Sequence, residues 1–237
     1  MTRVAGLAVM IVLIPGTGIA ADTPTPAALR AVLADPVDPA YVEVDQGTQG
    51  TIEGPFDAAR YADSGALPNA QLRQRMIDRL NRNGFLSGYG REWYKPRERI
   101  FLGETVLAFV NTAGAAALWK MGKVDYAAGK GFDKFVDASG IPGAYALNEV
   151  STEGFHWTIV SFTKGNELFA VAGGSDSEYT SAEVLAQGRK EFALASPGAL
   201  ASTRPTGRVG FVVALILVAA VISVLVLWAA VRPRQRR

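Results

Sequence analysis

The chain has no cysteine and only one histidine, His156. The first absence excludes disulfides, thiol nucleophiles and lipid attachment through a cysteine behind a signal sequence, so the fold must be held by its core alone. A lone histidine without cysteine cannot assemble a zinc site of the usual composition. No G-x-S-x-G elbow, Walker loop or G-x-G-x-x-G loop occurs, which removes the commonest signatures of serine hydrolases and of nucleotide binding. GGSDSE, residues 173–178, offers Asp176 and Glu178 but lacks the ligand spacing of an EF-hand, and reads as a loop leading into a helix. No metal and no cofactor is expected.

Acidic residues are missing from both ends of the chain. All 22 lie between Asp22 and Glu191, whereas Arg3, Arg232, Arg234, Arg236 and Arg237 belong to the ends. The stretch 22–208 keeps 19 basic residues against those 22 acids, a net charge of −3. The overall pI of about 8.9 therefore reflects the tail. A mildly acidic central region argues against nucleic acid as a partner.

What is present at the ends is hydrophobic. Residues 1–21 carry one arginine, the short apolar run Val4–Ile14 and then small residues, the pattern of a secretory signal peptide. Residues 209–231 are 23 uncharged residues, roughly 34 Å as a helix, enough to cross a hydrocarbon core of about 30 Å. Trp228 is placed for the interface, and the arginines after Val231 orient the tail to the cytoplasm. The expected organisation is a signal peptide (1–21), an extracytoplasmic domain (22–195), a small-residue linker (196–208), a transmembrane helix (209–231) and a basic cytoplasmic tail (232–237). The helix would contact membrane lipid. RPTG in the linker lacks the leucine and spacing of a sortase signal.

Within the domain, apolar spacing predicts a short helix from Pro26 to Leu33 and strands at 41–44 and 51–53 around a Gly/Gln-rich turn. Asn69–Asn83 reads as a helix capped by Asn69, with Leu72, Met76, Ile77 and Leu80 inward and Gly84 after its end. Its arginines 73, 75, 79 and 82 read as a solvated basic face, with binding of phosphate or an anionic polymer as the alternative. REWYKPRER, 91–99, reads as loop or edge strand because of Pro96. A strand follows from Ile100 to Val110. Thr112 then caps an alanine-rich helix through Met121, which continues past a break near Gly129–Gly131 to Phe135. After the turn Gly140–Gly143 comes a meander in which Gly165-Asn166 is a two-residue hairpin turn, setting Phe162 opposite Phe169 and Val160 opposite Val171. Thr180-Ser-Ala-Glu183 is a capping box opening a last helix to about Leu194. The fold class is α+β: an antiparallel sheet of about four to six strands with packed helices, plus one C-terminal transmembrane helix.

Five segments, ALRAVLADPVDPAY, LNRNGFLSGYGREW, GAAALWK, GIPGA and VSFTKGNELFAV, occur in this order between residues 28 and 195. Together they resemble small envelope ectodomains of actinobacteria: lipoproteins of the LpqN type, extracellular sensor domains and the PsbP-type α/β sandwich. The chain departs from these in lacking the lipid-bearing cysteine and the cysteine pairs of kinase sensors. The resemblance implies binding or scaffolding rather than catalysis, and assigns no residue a role.

The expected function is a membrane-tethered extracytoplasmic module that binds an envelope component or a partner protein. If one cluster binds a ligand, it is Tyr89, Arg91, Trp93 and Tyr94, where aromatics and a charge gather beside glycines; plain packing at a sheet edge is the alternative. His156 reads as a strand residue. The rivals are an envelope hydrolase using a carboxylate pair or His156, and an accessory subunit of a membrane complex that uses its helix as the interface.

Overall fold

A computed structural model describes residues 23–44, 52–64, 69–152 and 154–195. In chain order the elements are α1 (Pro26–Ala31), β1 (Val42–Glu43), β2 (Gly54–Phe56), α2 (Ala58–Ser64), α3 (Ala70–Arg82), β3 (Phe85–Lys95), β4 (Ile100–Phe109), α4 (Thr112–Ala127), β5 (Phe132–Val136), β6 (Tyr145–Val150), β7 (His156–Lys164), β8 (Glu167–Ser175) and α5 (Ser181–Leu194). The fold is α+β, but the antiparallel sheet has eight strands rather than four to six, ordered β1-β3-β4-β8-β7-β6-β5, with β2 also pairing β3.

The surplus strands arise where sequence cues are weakest. Of the two readings of 91–99, loop or edge strand, Arg91 to Lys95 is strand, paired on both sides rather than at an edge, because Trp93 pairs with Leu102 and Tyr94 with Phe101 across a hairpin whose turn begins at Pro96. β5 occupies the region expected to prolong α4, where Phe132 and Phe135 pair with β6 instead. The expected transmembrane helix, signal peptide and linker lie outside the described residues. Among the described residues, no helix is long and apolar enough to cross a membrane.

Local rules operate as the composition suggests. Asn69 accepts a hydrogen bond from Leu72 N at 2.9 Å and starts α3. The cap of α4 is Asn111, one residue before Thr112, accepting from Gly114 N at 3.0 Å. Thr180 precedes α5 but makes no side-chain cap; its φ of −87° and ψ of 31° depart from the extended backbone a capping residue adopts. Glu183, the other half of that expected box, pairs with Lys95 instead, 2.7 Å away. At Gly165 φ is +63°, which a two-residue turn demands, and the register is Val160↔Val171 and Phe162↔Phe169. The two phenyl rings stack at 5.1 Å.

Alternation along the strands gives the sheet two covered faces. On one, Trp93, Leu102, Val106, Val171, Val160 and Phe162 pack under α1 and α5. On the other, Leu107, Phe109 and Leu168 pack under α3 and α4. α4 comes close to the end of α3: a Cβ built on Gly114 would lie 2.0 Å from the Asn83 carbonyl oxygen. Backbone cannot yield as a side-chain tip does, so Gly114→Ala is expected to destabilise the domain by about 2–3 kcal/mol, despite the better helix propensity of alanine. Urea denaturation of the variant measures this, and an unchanged midpoint would show that the helices separate at no cost.

Candidate functional site

The strand rows under α4 are stepped in size. Leu107 and Leu168 fill the space near one end of the helix, whereas Ala170 leaves it open further along. α4 itself is cut back by Gly122 and ends before Gly129. A cavity of about 300 Å³ results between the sheet and helices α2, α3 and α4, at the lower end of ligand-sized cavities. Leu107, Leu168, Ala170 and Ile159 form its floor, and Leu118, Trp119 and Gly122 its roof. Trp119 is locked in place: its Nε1 donates to the Ser161 carbonyl at 3.1 Å, and its ring packs on Tyr145 with centroids 5.5 Å apart.

Polar groups converge on this apolar space from separate elements: Tyr61 from α2, Tyr126 from α4, and Tyr145 and Glu149 from β6. Tyr126 keeps 36 % of its surface exposed, but its hydroxyl end is the buried part, within electrostatic reach of Tyr61, Tyr145 and Glu149. Burial raises all three phenols above their ordinary range, Tyr145 to about 12 despite an opposing hydrogen bond with Ser161. They are therefore neutral donors at physiological pH. Neither Tyr61 nor Tyr126 makes a side-chain hydrogen bond to another described residue. Burial also raises Glu149. At the opening Arg79 of α3 is ion-paired with Asp125 of α4.

The cluster suggested by sequence is divided by the pleat. Tyr89, Arg91 and Trp93 lie on the α1/α5 face, 4 %, 5 % and 2 % exposed, so a ligand would reach them only by displacing the N-terminal segment. Arg91 donates to Glu43 at 3.0 Å and Asp35 at 2.9 Å, and lies 4.6 Å over the Trp93 ring. Tyr94 points to the opposite face, where it stacks on Phe101 at 4.5 Å. His156, on β7, packs edge-on against Tyr179 at 5.0 Å, and its Nδ1 is buried without a partner. One carboxylate pair, Glu104 of β4 and Glu191 of α5, is fully buried where the helix packs on the sheet, out of reach of a substrate and of water. Among the described residues, no group of three or more His, Asp or Glu converges as a metal site requires.

Nothing in sequence spacing announces Tyr61, Trp119, Tyr126 and Tyr145, which come from three elements and meet only across the sheet. The one local signal is the pair Gly122 and Gly129, small residues on and just beyond a helix face where a packed helix would be bulky.

No protein-family model matches the chain, and no curated protein matches it. Among solved structures it is similar to the extracellular domain of PknH from Mycobacterium tuberculosis, with 12 % identity and a TM-score of 0.48 over 73 % of this chain and 98 % of that one.

Proposed function

We propose that the protein is a non-catalytic binding module whose ligand occupies the cavity under α4, and that the module is held outside the membrane by the hydrophobic stretch 209–231. The observation that carries the reading is an apolar cavity into which two phenol hydroxyls point without a hydrogen-bond partner among the described residues. A phenol hydroxyl facing such a space is satisfied by water or by an acceptor that a ligand brings. The complementary ligand is uncharged and largely apolar with an oxygen acceptor such as an ester carbonyl. A carboxylate is less suitable, because Glu149 and Asp125 line the same space. The ends of the chain support an envelope location, in which apolar ligands of this kind are at hand.

The test uses three probes of equal chain length, methyl laurate, laurate and dodecane, with the domain of residues 22–205 in native mass spectrometry and in titrations read by tryptophan fluorescence. Methyl laurate is expected to bind tightest. Ala170→Phe, which puts a ring into the floor, should abolish binding of all three. Tyr61→Phe with Tyr126→Phe should reduce the preference for the ester over the alkane about thirtyfold, as the loss of two neutral hydrogen bonds worth ~1 kcal/mol each implies. Failure of every probe to bind, or binding undiminished in Ala170→Phe, would overturn the assignment.

A further inference from the structure

Charge is distributed unevenly over the domain. Residues 70–82 and 120–134, which are α3, most of the outer half of α4 and the start of β5, contain 8 basic and 3 acidic residues. The rest of residues 22–208 holds the other 11 basic and 19 acidic ones. Of the eight cations, Arg73 is paired with Asp63 and Arg79 with Asp125. Arg75, Arg82, Lys120, Lys123, Lys130 and Lys134 form no ion pair with another described residue, and all six are exposed.

Apolar side chains stand out of the same surface. Val124 is 64 % exposed, Phe135 47 % and Tyr126 36 %. Residues 123–130 are all exposed, so the last turn and a half of α4 projects from the body of the domain. Lys123 stretches over this surface with its Nζ 5.4 Å from the Phe135 ring, the posture of a side chain that covers apolar ground and keeps its charge in water. The outer faces of α3 and α4 join in a groove lined by Arg82, Lys120 and Val124. The least buried residues lining the cavity, Arg79, Asp125, Tyr126 and Gly129, lie here too.

We infer that this face of the domain docks on an anionic lipid bilayer, with Val124 and Phe135 entering the headgroup layer and the surrounding cations contacting lipid phosphates. Charge complementarity argues for an anionic surface. Exposed apolar groups inside a ring of cations argue for a bilayer over a soluble polyanion, which offers nothing for them to enter. Docking this way would turn the mouth of the cavity toward the lipid, the source of an apolar ligand. The docking itself does not depend on what the cavity holds.

The sheet and all three hydrophobic clusters lie between Leu29 and Ala195, so the domain of residues 22–205 contains its whole core and is used without the hydrophobic stretch. It is sedimented with vesicles of phosphatidylglycerol and phosphatidylcholine, with vesicles of phosphatidylcholine alone, and passed over immobilised heparin, a polyanion without a bilayer. Binding is expected to the mixed vesicles and to be lost on pure phosphatidylcholine. Each cation removed should weaken it about fivefold, so Arg82→Gln with Lys120→Gln and Lys123→Gln should cost roughly a hundredfold. Val124→Ser with Phe135→Ser, both at exposed sites, should weaken vesicle binding at least tenfold and leave heparin retention unchanged. No binding to the mixed vesicles overturns the inference. So does vesicle binding that the serine variant leaves intact, since the surface then recognises charge alone. Circular dichroism and melting of each variant show that the fold is unaltered, and the methyl laurate titration without vesicles reads the cavity separately.

Discussion

Replacing Arg91 by methionine is expected to cost about 3 kcal/mol of folding stability and to lower Tm by about 6–12 °C. Arg91 is 5 % exposed, and its guanidinium reaches three parts of the N-terminal segment: the Ala34 carbonyl, the Asp35 carboxylate and the Glu43 carboxylate. Met keeps the apolar stem and part of the contact with Trp93 but supplies no donor. Asp35 and Glu43 are open enough to solvent to be rehydrated, which limits the loss. The buried carboxyls Glu104 and Glu191 lose the cation that partly offsets their charge. Lysine should restore less than half, because a single ammonium cannot bridge two carboxylates and lie flat over an indole. Thermal denaturation and the methyl laurate titration together decide the matter. An unchanged Tm with lost ligand binding would return Arg91 to the recognition role its sequence neighbourhood suggests.

Raising the pH from about 4.5 through 7 should weaken the domain, the reverse of the usual behaviour of paired carboxylates. Glu104 and Glu191 are both fully buried. Gln187 donates to Oε1 of Glu104, and the Ala34 backbone to Oε2 of Glu191 at 2.6 Å. The remaining oxygen of each has no donor if both groups are ionised. A proton held between them satisfies both. Burial raises both groups, Glu191 to about 7 and Glu104, further pressed by the Glu191 charge, well above the usual carboxylate range.

Raised folded-state values mean that the native state holds protons which the unfolded chain releases near pH 4.5. The stabilisation is complete below that pH and is lost as the pH rises through 7, by about 3 kcal/mol for a shift of this size. Glu104→Gln replaces the shared proton by an amide N–H and keeps the acceptor used by Gln187. Its stability should vary with pH less than half as much as that of wild type over the same range. Urea midpoints measured from pH 4.5 to 8 test this; parallel curves for the two proteins would mean that the carboxyls ionise independently of folding. Glu191 ties α5 to the segment after α1 and Glu104 ties α5 to β4, so the first change at high pH is expected in the hydrogen exchange of Ala34.

Much of the fold was legible because its cues are local. A capping asparagine, an inward stripe at Leu72, Met76, Ile77 and Leu80 and a following glycine define α3 without reference to the rest of the chain. Gly165-Asn166 sets the β7–β8 register, since moving the turn by one residue would place Phe162 against Glu167. Other boundaries failed where a distant partner outweighs a local cue. Pro96 marks the end of β3, and the stretch before it, read as loop or edge strand, lies inside the sheet because β4 supplies hydrogen bonds as far as Lys95 and β1 pairs its other side. Phe132 and Phe135 carry helical spacing but are held by β6. Thr180 and Glu183 stand at capping-box spacing, and a buried lysine on β3 draws the glutamate away.

Composition alone decided that the domain stands without disulfides and lacks the usual zinc ligands, and that the positive surplus of the chain lies in its two ends. These are properties of residue identity and need no neighbours. Which aromatics are packed away and which line a cavity was decided only by tertiary structure. In sequence Tyr89, Arg91, Trp93 and Tyr94 form one cluster; the two-residue period of a strand sends Tyr94 to one face and its three companions to the other, beneath the N-terminal segment. Tyr61, Trp119, Tyr126 and Tyr145 come from three elements and share a cavity because helices α2, α3 and α4 and the sheet, small at Ala170, leave a gap between them. Local propensity reads along the chain, whereas a cavity is a property of the space between elements, which exists only once they have packed.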